Sequence, residues 1–158
     1  MMAKGNYIEN FIYKLWEAGL AGKPGVRGDL RHVRMWVRDK GRCVYCGTNL
    51  LGGLIEATSA QLDHILPKAK YEGYKENEEN WALACFCCNQ IKRKFDPYDY
   101  LADDRKPGLN SETLKKYRPE LLEICRAYLI PQLKKREEIR NQINDILANE
   151  NMEGQIDK

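Results

Sequence analysis

The chain has 158 residues, 43% of them hydrophobic and 31% charged, with a formal net charge of +3. That length suits a single domain with a modest core, and six cysteines are too few for a disulfide-dense secreted scaffold. No apolar run approaches the roughly 20 residues of a membrane-crossing helix, so the expectation is a cytoplasmic protein with reduced thiols and no membrane partner.

In chain order, residues 6–18 are expected to form a helix, with Tyr7, Phe11 and Leu15 along one line and Ile8, Ile12 and Trp16 beside it. Glycines and Pro24 make residues 19–28 a loop. Asp29 then caps a helix that runs to Asp39 and ends at Gly41. Leu30, Val33 and Val37 point inward on it, His32 lies at the surface, and Arg31, Arg34 and Arg38 occupy much of the rest. A strand or strand pair is expected over 56–65, a polar loop over 73–80 and a second strand over 81–84. A helix begins at Asn89, carries Lys92, Arg93 and Lys94, and is closed by Pro97.

Beyond that, Ser111 caps a short helix containing Leu114, and Pro119 opens another that reaches Ile130. A third run follows Pro131 and extends to about Asn149, with an apolar edge of Leu133, Ile139, Ile143, Ile146 and Leu147. The divisions are an N-terminal helical segment (1–41), a core (42–98), a C-terminal helical extension (99–150) and a disordered tail (151–158).

Charge is unevenly spread. Residues 1–42 carry nine Lys/Arg against four Asp/Glu, and 89–118 carry eight against five, whereas 43–88 carry three against six. Basic segments therefore flank an acidic centre, a distribution suited to a polyanion.

The acidic centre holds the most specific signal. Cys43 and Cys46 stand in C-V-Y-C-G, Cys85 and Cys88 stand in A-L-A-C-F-C-C-N, and L-D-H-I-L-P runs between the pairs. Two matched C-x-x-C knuckles supply four thiolates for one tetrahedral Zn²⁺. Cys87 is an alternative to Cys88 by position, although the matched spacing favours Cys88. Cys125, among Leu121, Leu122 and Leu129, reads as a core residue. Asp63 offers a hard oxygen to Mg²⁺, and Asn89 offers a carbonyl oxygen. His64 is neutral near physiological pH and can take a proton from water.

With R-C-V-Y-C-G, L-D-H-I-L-P and E-N-W-A-L-A-C-F-C-C-N-Q-I-K in this order, the chain resembles the HNH endonuclease family in its four-cysteine, zinc-stabilised form. The resemblance covers about Arg42 to Phe95. It implies an α+β fold: a small ββα-metal (His-Me finger) core with a structural zinc knuckle, flanked by N- and C-terminal helices. It also implies that His64 is the general base, that Asp63 and Asn89 hold a catalytic Mg²⁺ or Mn²⁺, and that Asn80 braces the loop behind the base. Lys92 matches a basic residue that steadies the scissile phosphate. Asn89 stands where many members have histidine, which bears on metal preference.

The function so implied is metal-dependent hydrolysis of double-stranded DNA, of restriction or phage-processing type. Arg31, Arg34, Arg38, Arg42, Lys68, Arg93 and Lys94 join Lys92 as candidate phosphate contacts. The C-terminal helices are a candidate homodimer element or an intramolecular brace. Two other readings are a non-catalytic zinc-knuckle nucleic-acid-binding protein and an HNH-type ribonuclease.

Overall fold

The structure is a computed structural model and describes residues 10, 12–14, 17, 30–101 and 108–153. Of the expected first helix, the described residues are helical, and Ile12 is fully buried in the core. The expected loop at 19–28, the Asp29 cap, and most of the first helix's apolar positions lie outside the described residues.

Helix α1 (Leu30–Arg38) buries His32, Val33, Met35 and Trp36. Two expectations fail on it: Leu30 is 49% exposed, and His32 is 5% exposed, its ring packed 5.3 Å from that of Trp81. The indole gives the imidazole an apolar face to cover, which the basic character of the helix does not reveal. The helix ends in a left-handed turn at Lys40 (φ 56°) and Gly41 (φ 62°). A Cβ at Gly41 would stand 2.4 Å from the Leu51 side chain, so the close approach as well as the dihedral calls for glycine.

The strand expected over 56–65 is divided. Helix α2 (Leu54–Thr58) takes its first part, and strand β1 is Ala60–His64. Strand β2 (Trp81–Cys85) pairs with β1 antiparallel, placing Asp63 opposite Ala82 and His64 opposite Trp81. The loop between them contains two short 3-10 turns, Glu72–Tyr74 and Glu78–Asn80. All of β2 is buried, as its apolar W-A-L-A run requires.

Helix α3 is Phe86–Lys92, beginning three residues before the expected Asn89 and ending short of Pro97. Cys85 is its N-cap, accepting from the Cys88 N–H, and the chain leaves through Arg93 at φ 46°. The backbone at Arg93, rather than Pro97, therefore stops this helix. Together β1, β2 and α3 make the ββα core expected of the resemblance.

The C-terminal region departs furthest from expectation. In place of three helices broken at prolines there is one, α4 (Ser111–Glu153), with Pro119 and Pro131 inside it. Each interior proline costs about 3 kcal/mol. Against that, Leu114, Leu121, Leu122 and Leu129 are buried on the core, each worth about 1.5–3 kcal/mol. Packing thus outweighs local propensity. Residues 134–149 are exposed throughout. The helix continues through 151–153 of the expected tail, and the last five residues lie outside the described ones.

One polar clasp ties α1, β2 and α4 together. Asp39 accepts from the Leu83 N–H at 2.9 Å, from Arg38 at 2.8 Å and from Arg118 at 3.2 Å. Arg38 and Arg118 both also donate to the Trp81 carbonyl, at 2.6 and 3.1 Å. No helix among the described residues is long and apolar enough to cross a membrane.

Candidate active site and metal centre

The four cysteines converge. The Sγ atoms of Cys43, Cys46, Cys85 and Cys88 all lie within 4.8 Å of one another. A tetrahedron of Zn–S bonds near 2.3 Å has edges of about 3.8 Å, which is the Cys46–Cys85 separation, 3.8 Å. The donor set therefore fits Zn²⁺ in chemistry and size. The first knuckle turns through Gly47 (φ 76°) and is fastened to β2 by the Val44 N–H on Leu83 O at 2.9 Å. The second is the junction of β2 and α3. Cys87 is exposed and stands outside the cluster, while Cys125 is buried in the core. Burial pushes the Cys125 thiol up to about 12.

Beside this centre, at the end of β1, stand Asp63 and His64. Asp63 is 6% exposed. Its Oδ2 accepts from the Tyr45 hydroxyl at 2.5 Å and pairs with Lys92 Nζ at 3.1 Å. Oδ1 takes no hydrogen bond among the described residues. One oxygen is thus fixed and the other left available, a usable posture for a cation ligand.

Lys92 is fully buried and also donates to the His64 carbonyl at 2.7 Å. Its ammonium is therefore turned inward in this structure, whereas the sequence reading aimed it at a phosphate. Tyr45 was missed from sequence. The signal was present, since an aromatic lies between two zinc cysteines and shares their fixed position. Burial and then the Asp63 charge push its phenol well above the ordinary range, so it remains a donor.

The imidazole of His64 is oriented by a backbone acceptor. Nε2 lies 3.0 Å from the Lys75 carbonyl, which also accepts from Trp81 Nε1 at 2.8 Å. A carbonyl can only accept, so Nε2 carries the proton and Nδ1 keeps its lone pair. Burial lowers the His64 pKa below its ordinary value, and neutral imidazole prevails at pH 7.

Asn80 is fully buried and holds the intervening loop. Its Oδ1 accepts from the Leu66 N–H at 2.7 Å, and Nδ2 donates to the carbonyls of Leu66 and Tyr74, both at 3.2 Å. Asn89 is half-buried on α3, and its carboxamide takes no hydrogen bond among the described residues.

The candidate phosphate contacts are dispersed in role. Arg31 lies over the Trp81 ring and pairs with Glu76; Arg34 makes a two-pronged contact with Glu78; Arg38 belongs to the clasp. These three fasten α1 to the β1–β2 loop. Arg42, Lys68, Arg93 and Lys94 are exposed.

Residues 43–95 match the HNH endonuclease family. The chain carries an HNH domain. It is also similar to the CRISPR-associated endonuclease Cas9 of Corynebacterium diphtheriae, at 35% identity over 71 residues, which are 45% of this chain and 6% of that protein. The chain therefore spans a small fraction of that relative's length. No solved structure matches it.

Proposed function

We propose that this HNH domain hydrolyses phosphodiester bonds of double-stranded DNA. The observation that carries the reading is the His64 tautomer, with Nε2–H held by Lys75 O and a free Nδ1 lone pair beside a carboxylate with one available oxygen. Nδ1 takes the proton of an attacking water. Asp63 Oδ1 and the Asn89 carboxamide are the residues that would hold Mg²⁺ or Mn²⁺, which when bound supplies stabilisation of charge on the phosphoryl oxygens. Tyr45 and Lys92 hold Asp63 in position, and Asn80 holds the loop that carries the Lys75 carbonyl.

The test is relaxation of supercoiled plasmid by zinc-loaded protein with Mg²⁺, with Mn²⁺ or with neither, beside His64→Ala. Metal-dependent nicking lost in the variant supports the reading. Equal cleavage by both proteins removes His64 from the mechanism. Binding without cleavage on several DNAs favours a non-catalytic finger, and cleavage of structured RNA alone favours a ribonuclease.

The homodimer belongs to this proposal as well. Ile139, Ile143, Ile146 and Leu147 are each 46–57% exposed on α4 and share an arc of about 100° on the helix. Basic residues Lys134, Lys135 and Arg136 precede the stripe and the acidic Asp145 falls toward its end. A second copy running antiparallel would therefore meet both apolar and opposite-charge partners.

A further inference from the structure

A groove of about 370 Å³ opens beside the zinc knuckle, where the end of α1 meets α4. Five cationic side chains line it, Arg38, Lys40, Arg42, Arg118 and Arg126, and Asp39 is the single carboxylate among its lining residues. That carboxylate is only 3% exposed and is already committed to Arg38, Arg118 and the Leu83 N–H. Positive charge is therefore in clear excess within a concave surface.

The cations differ in what they have left to offer. Lys40 has no acidic partner among the described residues. Arg42 gives one hydrogen bond, from Nη1 to Gly47 O at 3.1 Å, and is exposed. Arg126 donates from Nε to Val44 O at 2.7 Å and pairs through Nη1 with the exposed Glu123. Arg118 is the most telling, because its Nε is buried and has no hydrogen-bond partner among the described residues. A buried guanidinium donor without a protein acceptor is costly, so Arg118 is the least compensated cation of the groove.

We propose that this groove binds a phosphate of the nucleic-acid backbone, with Lys40, Arg42 and Arg126 at its mouth and Arg118 at its base. The proposal rests on the nuclease reading for the identity of the polyanion. Its geometry is independent of that reading. Burial lowers the Arg118 pKa, the Asp39 charge only partly opposing it, so an added anion would relieve a cation the fold leaves under-compensated. Tyr45 lines the groove and also touches Asp63, which makes the groove a neighbour of the candidate active site. Of the residues flagged from sequence, Arg42 alone remains both exposed and in the groove; Arg118 and Arg126 arrive from α4 through the fold.

The experiment is duplex binding by fluorescence anisotropy across a salt series, with zinc-loaded protein and no added Mg²⁺ or Mn²⁺. Wild type is compared with Lys40→Gln/Arg42→Gln, and with Lys115→Gln/Lys116→Gln, exposed near the start of α4 and outside the groove, as a charge-matched control. The groove variant is expected to bind about tenfold more weakly at 0.1 M salt, with the slope of log K on log [salt] reduced by about 1. Arg126→Gln should act in the same direction, and the control should leave the slope alone.

An unchanged slope in the groove variants, or an equal loss in the control, overturns the proposal. Pyrophosphate that binds the groove while duplex affinity and slope match wild type overturns the nucleic-acid assignment. Failure of plasmid cleavage with the slope effect intact removes the nuclease reading and leaves the groove standing.

Discussion

At the scale of single residues, the buried Lys92–Asp63 pair makes the sharpest demand. Removing one member of a buried pair strands the other charge, at about 3–5 kcal/mol. Lys92→Met is therefore expected to lower unfolding free energy by that order in a denaturant titration, a loss far above that of a surface lysine. Tyr45→Phe removes only one hydrogen bond to the carboxylate and should cost about 1–3 kcal/mol, while weakening Mn²⁺ binding measured by calorimetry. For His64 the direction of the pH effect follows from burial, which favours the neutral ring. A base with a depressed pKa stays competent to below pH 6.5, so the acid limb of kcat/KM should lie beneath that value. The same depression contributes stability above the unfolded pKa that is lost as pH falls through the folded one. His64, Asp63 and Asn80 could be singled out in sequence because they stand in the motifs that carry the family resemblance. Tyr45 and the inward turn of Lys92 were hidden because each is defined by a partner 18 or 29 positions away across the fold.

At the scale of elements, the two C-x-x-C knuckles were legible at once, whereas α4 was misread. The prolines signalled breaks, and locally that is what prolines do; the opposing signal was the buried spacing of Leu114, Leu121, Leu122, Cys125 and Leu129, which acts only once the core exists. Replacing the exposed Pro131 by alanine should remove the interior-proline penalty of about 3 kcal/mol, less about 1 kcal/mol for the greater freedom of the unfolded chain. A net gain near 2 kcal/mol is expected, read as a rise in Tm. The short helix α2 was likewise missed, since five residues give too little periodicity to distinguish helix from strand. Within the metal centre, Cys87→Ser should leave zinc content unchanged and Cys46→Ser should abolish it, by elemental analysis of purified protein. In the zinc-loaded protein, thiol labelling should reach Cys87 and spare Cys125, whose pKa near 12 and full burial both suppress the thiolate.

At the scale of the whole molecule, the fold is a small finger braced by one long helix that continues past it. Residues 134–149 of that helix expose four large apolar side chains, and a lone helical segment of that length is marginal in water. Sedimentation equilibrium at tens of micromolar should accordingly give a dimer mass, and Ile143→Asp should return the monomer with zinc content intact. Raising salt should weaken an antiparallel pair, because its ends attract, and would strengthen a parallel one. The helix itself was visible in sequence as an apolar edge, but its continuity with the core-packed half was not, and only that continuity fixes where the edge stands relative to the finger.

Helix α3 has seven residues, and within them and its cap lie two zinc thiolates, Cys85 and Cys88, together with Asn89 and Lys92. So short a helix has little cooperativity of its own, and its order is set by what grips its first turn. Occupancy of the thiolate cluster and the posture of Asn89 and Lys92 are then thermodynamically linked. Linkage is reciprocal: whatever factor zinc adds to the affinity of a ligand that needs α3 ordered, that ligand returns to zinc. A chelator used to test the proposed divalent ion would thus reach the same helix by a second route, so under the proposed function any loss of cleavage on chelation would have to be separated from loss of metal at the thiolate cluster.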